Sequence, residues 1–520
     1  MVRFLVLLVA ALAAHLAGAQ PAEPRFDVLE FRVEGNTVLA NARIEAAVYP
    51  FLGTGRTAAD MEQARAALEA AYRDIGFGTV TVDIPEQRIT EGTVVLNVTE
   101  GKVARVRVVG ARYFSQERIL REVPALAEGT VPNFPQISAQ LAGVNRSADR
   151  RVTPLLRPGK QPGTTEVDLT VEDRLPLSGT LELNNKHGAN TTPTRLQGSL
   201  RYDNLWQRDH GLGLQFQLSP ENRSEVSVFS ASYTIPDGGN VWALSWLESD
   251  NNTISGVGST TVAGKGRVLG LRWIGVVPEG EAGYQTYTLG ADWKDFRETV
   301  LTAGSGSEGF STPVRYLPFT LAFTRSVGDK SGRWSGGAGI TFAIAGLPGK
   351  DSEFADKRYL GRAGFGVLKF DLAREQALPW AGLQLAAKAE GQYTGQPLIS
   401  NEQFAAGGVD SVRGYLEGAA VGDRALRASL ELRSADLMPN AWAGFGSLRA
   451  HGFAEGAGLW LVNPLPGQQK QFGLLGTGAG LRLVHPTFGS LALDVAWPLR
   501  ALGSTEAREP RLHASGTFTF

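Results

Sequence analysis

The chain contains no cysteine, which excludes a disulfide framework, a thiolate metal site and a cysteine nucleophile. Histidine is scarce: beyond His15, the residues His187, His210, His451, His485 and His513 are scattered without metal-ligand spacing. Neither sign of charge dominates, with 51 Lys and Arg against 52 Asp and Glu in 520 residues. The basic stripe or domain that would mark a nucleic-acid partner is therefore missing. Nucleotide signatures are missing too. Lysine follows Gly101, Gly159, Gly264 and Gly349, yet Ser or Thr never comes next, so there is no P-loop. Gly476, Gly478 and Gly480 run into an alternating strand pattern rather than a helix, which excludes a dinucleotide turn; they read as residues that lighten a strand surface. No acidic pair sits in a recognisable acid/base setting. The sequence predicts neither an enzyme nor a metal or cofactor site.

What the chain does have is glycine, 63 residues of it, with 24 Phe and 10 Trp, a composition suited to an envelope β protein. Arg3, the apolar run Phe4 to Leu16 and the small residues Ala17-Gly18-Ala19 read as a secretory signal over residues 1–19, cut before Gln20. That run is too short for a spanning helix, which needs about 20 apolar residues. No later segment reaches that length, so any membrane crossing in the exported protein must be a barrel.

Residues 26–174 hold a repeat. Glu30-Phe31-Arg32-Val33-Glu34-Gly35-Asn36 corresponds to Arg105-Val106-Arg107-Val108-Val109-Gly110-Ala111. The closing strands Leu96-Asn97-Val98-Thr99-Glu100 and Leu169-Thr170-Val171-Glu172-Asp173 correspond as well. Between them the first unit has helical stretches over Asn41 to Leu52 and Ala58 to Ile75, then Val80, Val82 and Ile84 alternating as a strand. The second unit is expected to follow, with helices near Ser115 to Val123 and Pro135 to Arg151. The order β-α-α-β-β, twice, resembles POTRA (polypeptide-transport-associated) domains; taken alone it also fits two small α+β domains with another binding role. The expected boundaries are a short segment 20–25, a first unit 26–101, a second 102–174 and a barrel 175–520.

From Leu177 onward the period is two. Leu196, Gly198, Leu200 and Tyr202 alternate with Gln197, Ser199 and Arg201; Leu491, Leu493, Val495 and Trp497 alternate with Ala492, Asp494 and Ala496. Strands of about ten residues suit a tilted membrane crossing. Tight turns such as Pro236-Asp237-Gly238-Gly239 alternate with long polar loops such as Thr302 to Pro313, and the chain ends on an alternating strand closing at Phe520. About sixteen strands are expected, starting near residues 178, 194, 211, 224, 240, 264, 283, 313, 333, 358, 381, 424, 444, 471, 488 and 510. The fold class is a transmembrane antiparallel β-barrel behind two α+β domains, and Phe520 resembles the assembly signal of outer-membrane barrels.

With that count, Thr394 to Asp423 is the longest loop, the sixth on its side, and carries Gly408-Val409-Asp410-Ser411-Val412-Arg413-Gly414-Tyr415. On chemistry alone Arg413 reads as an exposed arginine. The segment resembles the loop-six signature of two-partner secretion transporters, the hemolysin secretion/activation family, and Gly422-Asp423, Glu431-Leu432-Arg433 and Gly478-Ala479-Gly480-Leu481-Arg482 agree with that family in order. The resemblance implies that the Val412-Arg413-Gly414-Tyr415 loop folds into the lumen. There its arginine would pair with an acid in Gly452-Phe453-Ala454-Glu455, where Glu455 stands in place of the usual aspartate. Exchanging the charges of Arg413 and Glu455 is then expected to recover activity lost in either single change.

The resemblance further implies a secreted partner exoprotein such as an adhesin or cytolysin, captured unfolded by POTRA domains in the periplasm and exported through a barrel in the outer-membrane lipid of a Gram-negative cell. Barrel-assembly machinery is implied during biogenesis, and nucleic acid is not. The segment Thr79-Val80-Thr81-Val82-Asp83-Ile84 is the candidate edge for substrate. Only Gln20 to Arg25 precede the first strand, too few for the plug helix of some family members, so gating is expected to fall to the loop. Two other readings stay open: an insertase of outer-membrane proteins, and a passive porin or uptake receptor.

Overall fold

The computed structural model describes residues 24–251, 254–257, 260–263, 265–280, 282–300, 310–438, 444 and 446–520. The signal segment 1–19, most of the segment 20–25 and most of the Thr302 to Pro313 loop lie outside the described residues. Two compact units meet between Leu175 and Pro176.

The front unit contains both repeats. The first comprises β1 (Phe26–Val28), β2 (Glu30–Glu34), α1 (Asn41–Val48), β3 (Gly53–Arg56), α2 (Ala58–Asp74), β4 (Thr81–Asp83) and β5 (Thr93–Thr99). The second comprises β6 (Lys102–Val109), α3 (Gln116–Glu122), α4 (Phe134–Val144), β7 (Arg150–Pro158) and β8 (Thr164–Asp173). Their sheets have matching orders, β2-β5-β4 and β6-β8-β7, parallel in the first pairing and antiparallel in the second. α2 starts on a capping box in which Asp60 N–H donates to Thr57 Oγ1 and Thr57 N–H to Asp60 Oδ2. Its residues Met61, Ala64, Leu68 and Tyr72 fall on one buried face, as their spacing predicts.

The physical basis of the repeat is an acid at the end of each closing strand. Glu100 accepts from the Thr37 and Val38 amides at 2.7 and 3.0 Å; Asp173 accepts from those of Arg112, Tyr113 and Phe114 at 2.9, 2.7 and 3.1 Å. Each acid thus gathers the amides of the turn that leaves the first strand. Gly35 and Gly110 make that turn at φ +85° and +92°, where a Cβ would fall 2.2 and 2.5 Å from the carbonyls of Val98 and Val171. Asn133 joins the repeats: its Oδ1 caps α4 at Gln136 N–H, and its Nδ2 donates to Ile75 O at 2.9 Å, just past the end of α2.

Three expectations are corrected here. α1 stops at Val48, because Pro50 opens a 3-10 turn over Tyr49–Phe51. α4 stops at Val144, not near Arg151, because the Asn145 amide turns back to bracket the Val152 backbone at 2.7 and 3.0 Å. The expected edge strand Thr79 to Ile84 shortens to Thr81–Asp83.

The second unit is a closed barrel of sixteen antiparallel strands. These are β9 (Leu177–Asn184), β10 (Arg195–Leu205), β11 (His210–Leu218), β12 (Val226–Asp237), β13 (Asn240–Asn251), β14 (Gly266–Glu279), β15 (Gly283–Val300) and β16 (Phe310–Tyr316, continuing as Pro318–Gly328). There follow β17 (Gly332–Ala343), β18 (Phe365–Ala377), β19 (Gln384–Tyr393), β20 (Arg424–Arg433), β21 (Ser447–Trp460), β22 (Gln471–His485), β23 (Gly489–Pro498) and β24 (Arg511–Thr519). β24 pairs with β9 from Ser515↔Asn184 to Thr519↔Thr180, which leaves no open sheet edge. The strand expected near residue 358 begins at Phe365, since Asp351–Lys357 forms a helix, α5.

The barrel is inside out relative to a soluble domain. On β23, Leu491, Leu493, Val495 and Trp497 are exposed, while Asp494 and Ala496 between them are buried. β20 repeats the arrangement, with Leu426, Leu430 and Leu432 exposed and Arg427 and Glu431 buried. Apolar side chains covering the outside of a closed sheet need a lipid solvent. Among the described residues no helix is long and apolar enough to cross a membrane.

Candidate functional site

Loop six runs from β19 to β20 and folds inward as a hairpin. Its arms Phe404–Ala406 and Ala420–Gly422 pair with each other, and Val412 and Tyr415 at the tip are fully buried against Ala406, Ala425, Ala457, Leu459 and Leu474. Tyr415 OH donates to Arg500 O at 2.8 Å and accepts from Leu475 N–H at 3.2 Å. Gly414 takes φ +96°, and a Cβ there would lie 2.8 Å from Pro498 N. These contacts seat the tip before any charge is counted.

Between the two apolar anchors stands Arg413, 4% exposed. Its Nε and Nη2 donate to Glu455 Oε1 at 3.1 and 2.7 Å, and its own backbone N–H donates to Glu455 Oε2 at 2.8 Å. Nη2 also reaches Glu431 at 2.9 Å and Nη1 reaches Asp494 at 3.2 Å. One arginine therefore ties three wall strands, β20, β21 and β23, through three carboxylates. Its guanidinium lies flat on the Phe453 ring, 3.4 Å from the centroid. The cluster is balanced: Arg433 and Arg482 bond Glu431 at 2.8 and 3.2 Å, giving three arginines for three acids. Buried charge is tolerable only when paired and hydrogen-bonded in this way.

Two histidines complete the cage. His451 Nε2 bonds Asp494 Oδ1 at 2.7 Å, and Gly414 N–H donates to His513 Nε2 at 3.1 Å. Neither they nor Glu431 and Asp494 carried a role in the sequence, because they sit on different strands that only barrel closure brings together. The glycine row of β22 also acquires a reason. A Cβ on Gly476 would lie 2.2 Å from Arg413 O, on Gly478 2.4 Å from the Phe453 ring, and on Gly480 1.9 Å from Asp494. Bare backbone there makes room for the loop. Gly452, grouped with Phe453 and Glu455 in the sequence, faces away from the lumen by strand alternation, and a Cβ there would meet nothing within 3.8 Å.

The remaining sequence-predicted residues lie apart from this cage. Val80 and Val82 point into the core of the first repeat, Thr81 and Asp83 are exposed, and Val82 O accepts from Arg65 Nη1 at 3.1 Å. Phe520 pairs its backbone with Gly179, at 3.1 Å in both directions, and its ring is exposed beside Phe518.

Two family models match. One described as POTRA domain, ShlB-type, covers residues 26–101, and one described as haemolysin secretion/activation protein ShlB/FhaC/HecB covers residues 163–483. The chain belongs to this haemolysin secretion/activation family. The outer membrane transporter CdiB of Dickeya dadantii is 25% identical over 424 residues, 77% of this chain and 71% of the relative. Among solved structures, CdiB from Escherichia coli matches with TM-score 0.60 and 20% identity, covering 97% of this chain and 92% of that one. BamA from Haemophilus ducreyi lacking POTRA domains 1–3 matches with TM-score 0.57 and 16% identity, covering 95% and 100%. Both structural likenesses concern the fold.

As a member of the haemolysin secretion/activation family, the chain is an outer-membrane transporter with its POTRA module in the periplasm. β9 follows directly on that module, so loops after odd-numbered barrel strands, loop six included, open to the outside. The outer foot of loop six has its own anchors. Asp423, with no exposed surface, accepts from Leu398 N–H at 3.0 Å, Gln403 Nε2 at 2.9 Å, Val462 N–H at 2.7 Å and Arg358 Nη2 at 3.4 Å. Glu402 takes Lys294 Nζ at 2.5 Å and Tyr316 OH at 2.7 Å. Phe354 of α5 packs beside Tyr316, Phe365, Leu398 and Ile399 in an apolar cap over this foot.

Proposed function

We propose that this transporter captures an unfolded partner exoprotein with its periplasmic POTRA repeats and threads it outward through the barrel, as in two-partner secretion. The observation that carries the reading is the Arg413 cage: a loop seated in the lumen by Val412 and Tyr415, with one arginine between them bonded to three wall strands, is a lock that a passenger can displace. Beside it lies a cavity of about 1360 Å³ whose lining mixes polar residues such as Gln197, Gln215, Gln217, Ser232 and Thr324 with apolar ones such as Leu247, Val268 and Phe296. Capture would use main-chain hydrogen bonds at a sheet edge, which give affinity without strict sequence demand. The chain carries no nucleotide signature, so folding of the passenger outside the cell supplies the drive.

The test is secretion by cells carrying Arg413→Ala. Export of the partner at normal levels sinks the lock. Deleting the gene separates this reading from an insertase: loss of one secreted protein supports export, whereas a general loss of outer-membrane proteins supports insertion. A passive porin predicts that Arg413→Ala leaves function intact.

A further inference from the structure

Both repeats present an antiparallel edge strand, and the two edges differ in what covers them. Val82 on β4 and Val152 on β7 occupy equivalent positions, opposite Val98 and Val171 of the matching closing strands. On β7 the ladder fixes which groups face outward. Asp149 O and Gly159 N–H bond to β8 partners, so the even-numbered residues 152, 154, 156 and 158 point their backbone groups to the free edge. Of these only Leu156, isolated between two prolines, keeps both backbone groups open. Val152 is bracketed on both N–H and C=O by the Asn145 side chain at 2.7 and 3.0 Å. Pro154 and Pro158 have no N–H to offer.

The first repeat is covered more lightly. Val82 O is engaged by Arg65 alone of the described side chains, through Nη1 at 3.1 Å. Arg65 belongs to α2, is partly exposed, and shares its charge with Glu62 and Glu69 at 2.7 and 2.5 Å. A side chain of that kind can swing aside, whereas a proline in the chain cannot. Gln87 brackets Val95 farther along, at 2.8 and 2.9 Å, and so confines the open stretch to β4.

We propose that strand addition is confined to the first repeat, at Val82, and that Arg65 is its displaceable latch. This rests on the capture step proposed above and names its site. The occupant is an extended peptide segment carrying a basic side chain. When Arg65 leaves, Glu62 loses its cation, Glu69 keeps only Arg73 at 2.9 Å, and Asp83 on β4 is exposed, so a lysine or arginine on the incoming strand restores the balance. Arg65 is a positioning residue here: it sets how readily the edge is reached and takes no part in the ladder itself.

The experiment uses the full-length protein in detergent and a fluorescein-labelled short peptide of alternating threonine and valine with one central lysine. Anisotropy is expected to show one peptide per chain. Arg65→Ala should tighten binding roughly three- to tenfold by freeing one charge-assisted hydrogen bond, and Arg65→Gln should fall between. N-methylating alternate amides of the peptide should abolish binding, and replacing its lysine by glutamate should weaken it. Asn145→Ala alone should change nothing, while Asn145→Ala with Pro154→Val and Pro158→Val should admit a second peptide. Two peptides on the unaltered chain, or weaker binding by Arg65→Ala, overturns the assignment to the first repeat and leaves capture standing. Binding to neither repeat overturns strand capture as well.

Discussion

The guanidinium carbon of Arg413 rests 3.4 Å from the centroid of the Phe453 ring, while Nε and Nη2 bond Glu455 two residues farther along the same strand. Alternation puts both wall residues on the lumen face, so β21 grips the arginine by its plane and by its edge. A planar, forked cation is required for that. Lysine offers a point charge that cannot stack and bond three carboxylates together. Arg413→Lys is expected to lose most of the lock, with single-channel conductance rising toward that of Arg413→Ala. Conductance equal to the unaltered protein would mean that charge alone holds the loop.

The cage changes what a charge exchange should do. The sequence, showing one acid, leads to the expectation that Arg413→Glu with Glu455→Arg restores activity. The structure places Glu431 and Asp494 within 3.2 Å of the same guanidinium, so a glutamate at 413 meets two like charges. Leaving buried carboxylates without their cation costs about 3–5 kcal/mol. Recovery is therefore expected to be small in the double exchange. Adding Glu431→Gln and Asp494→Asn to it should raise secretion and thermal stability together.

The glycine row gives a steric test with an internal control. Gly476→Ala and Gly480→Ala would place a methyl 2.2 Å from Arg413 O and 1.9 Å from Asp494 Oδ1. Each is expected to unseat the tip, raising conductance while the barrel still runs as a folded, heat-modifiable band on a gel. Gly452→Ala, on the outer face, should alter neither measurement.

The front module should be acid-sensitive at a defined place. Burial by itself would raise the Glu100 carboxyl, but hydrogen bonds from the Thr37 hydroxyl and amide and the Val38 amide outweigh that and hold it below its ordinary value of 4.5. A carboxylate depressed in the folded state stabilises fully above the unfolded value, and that contribution fades as pH falls through the folded one. Amide exchange at Thr37 and Val38 in the full-length protein should stay slow above about pH 5 and quicken below 4.5. Glu100→Gln should make it fast at neutral pH, with a loss of about 1–3 kcal/mol in local stability.

Much of the architecture was legible because the physics there is periodic or repeated. The exposed alternation of Leu491, Leu493, Val495 and Trp497 announces a strand with one apolar face, and Gly35 and Gly110 mark the same turn twice. Chain direction is harder to read where a short polar segment interrupts. Asp351–Lys357 shows too little helical repeat to announce α5, so the pattern points to a strand start near 358, several residues before Phe365. The family resemblance points to the pairing of Arg413 with Glu455 and marks Glu431-Leu432-Arg433 without tying it to the loop, whereas Asp494, His451 and His513 carry no local signal. They converge only because β20, β21, β23 and β24 are bent into one wall, a relation that no sequence window contains.

The two feet of loop six are paired to each other through Phe404–Ala406 and Ala420–Gly422, and Asp423 binds the second foot to Arg358 and Val462 on the neighbouring outer loops. If export proceeds as proposed, a tip freed from the cage would hang from the outer rim as a pendulum, and the passage it cleared would be a crescent along the wall, with its width set by the arc of the tip rather than by the bore of the barrel.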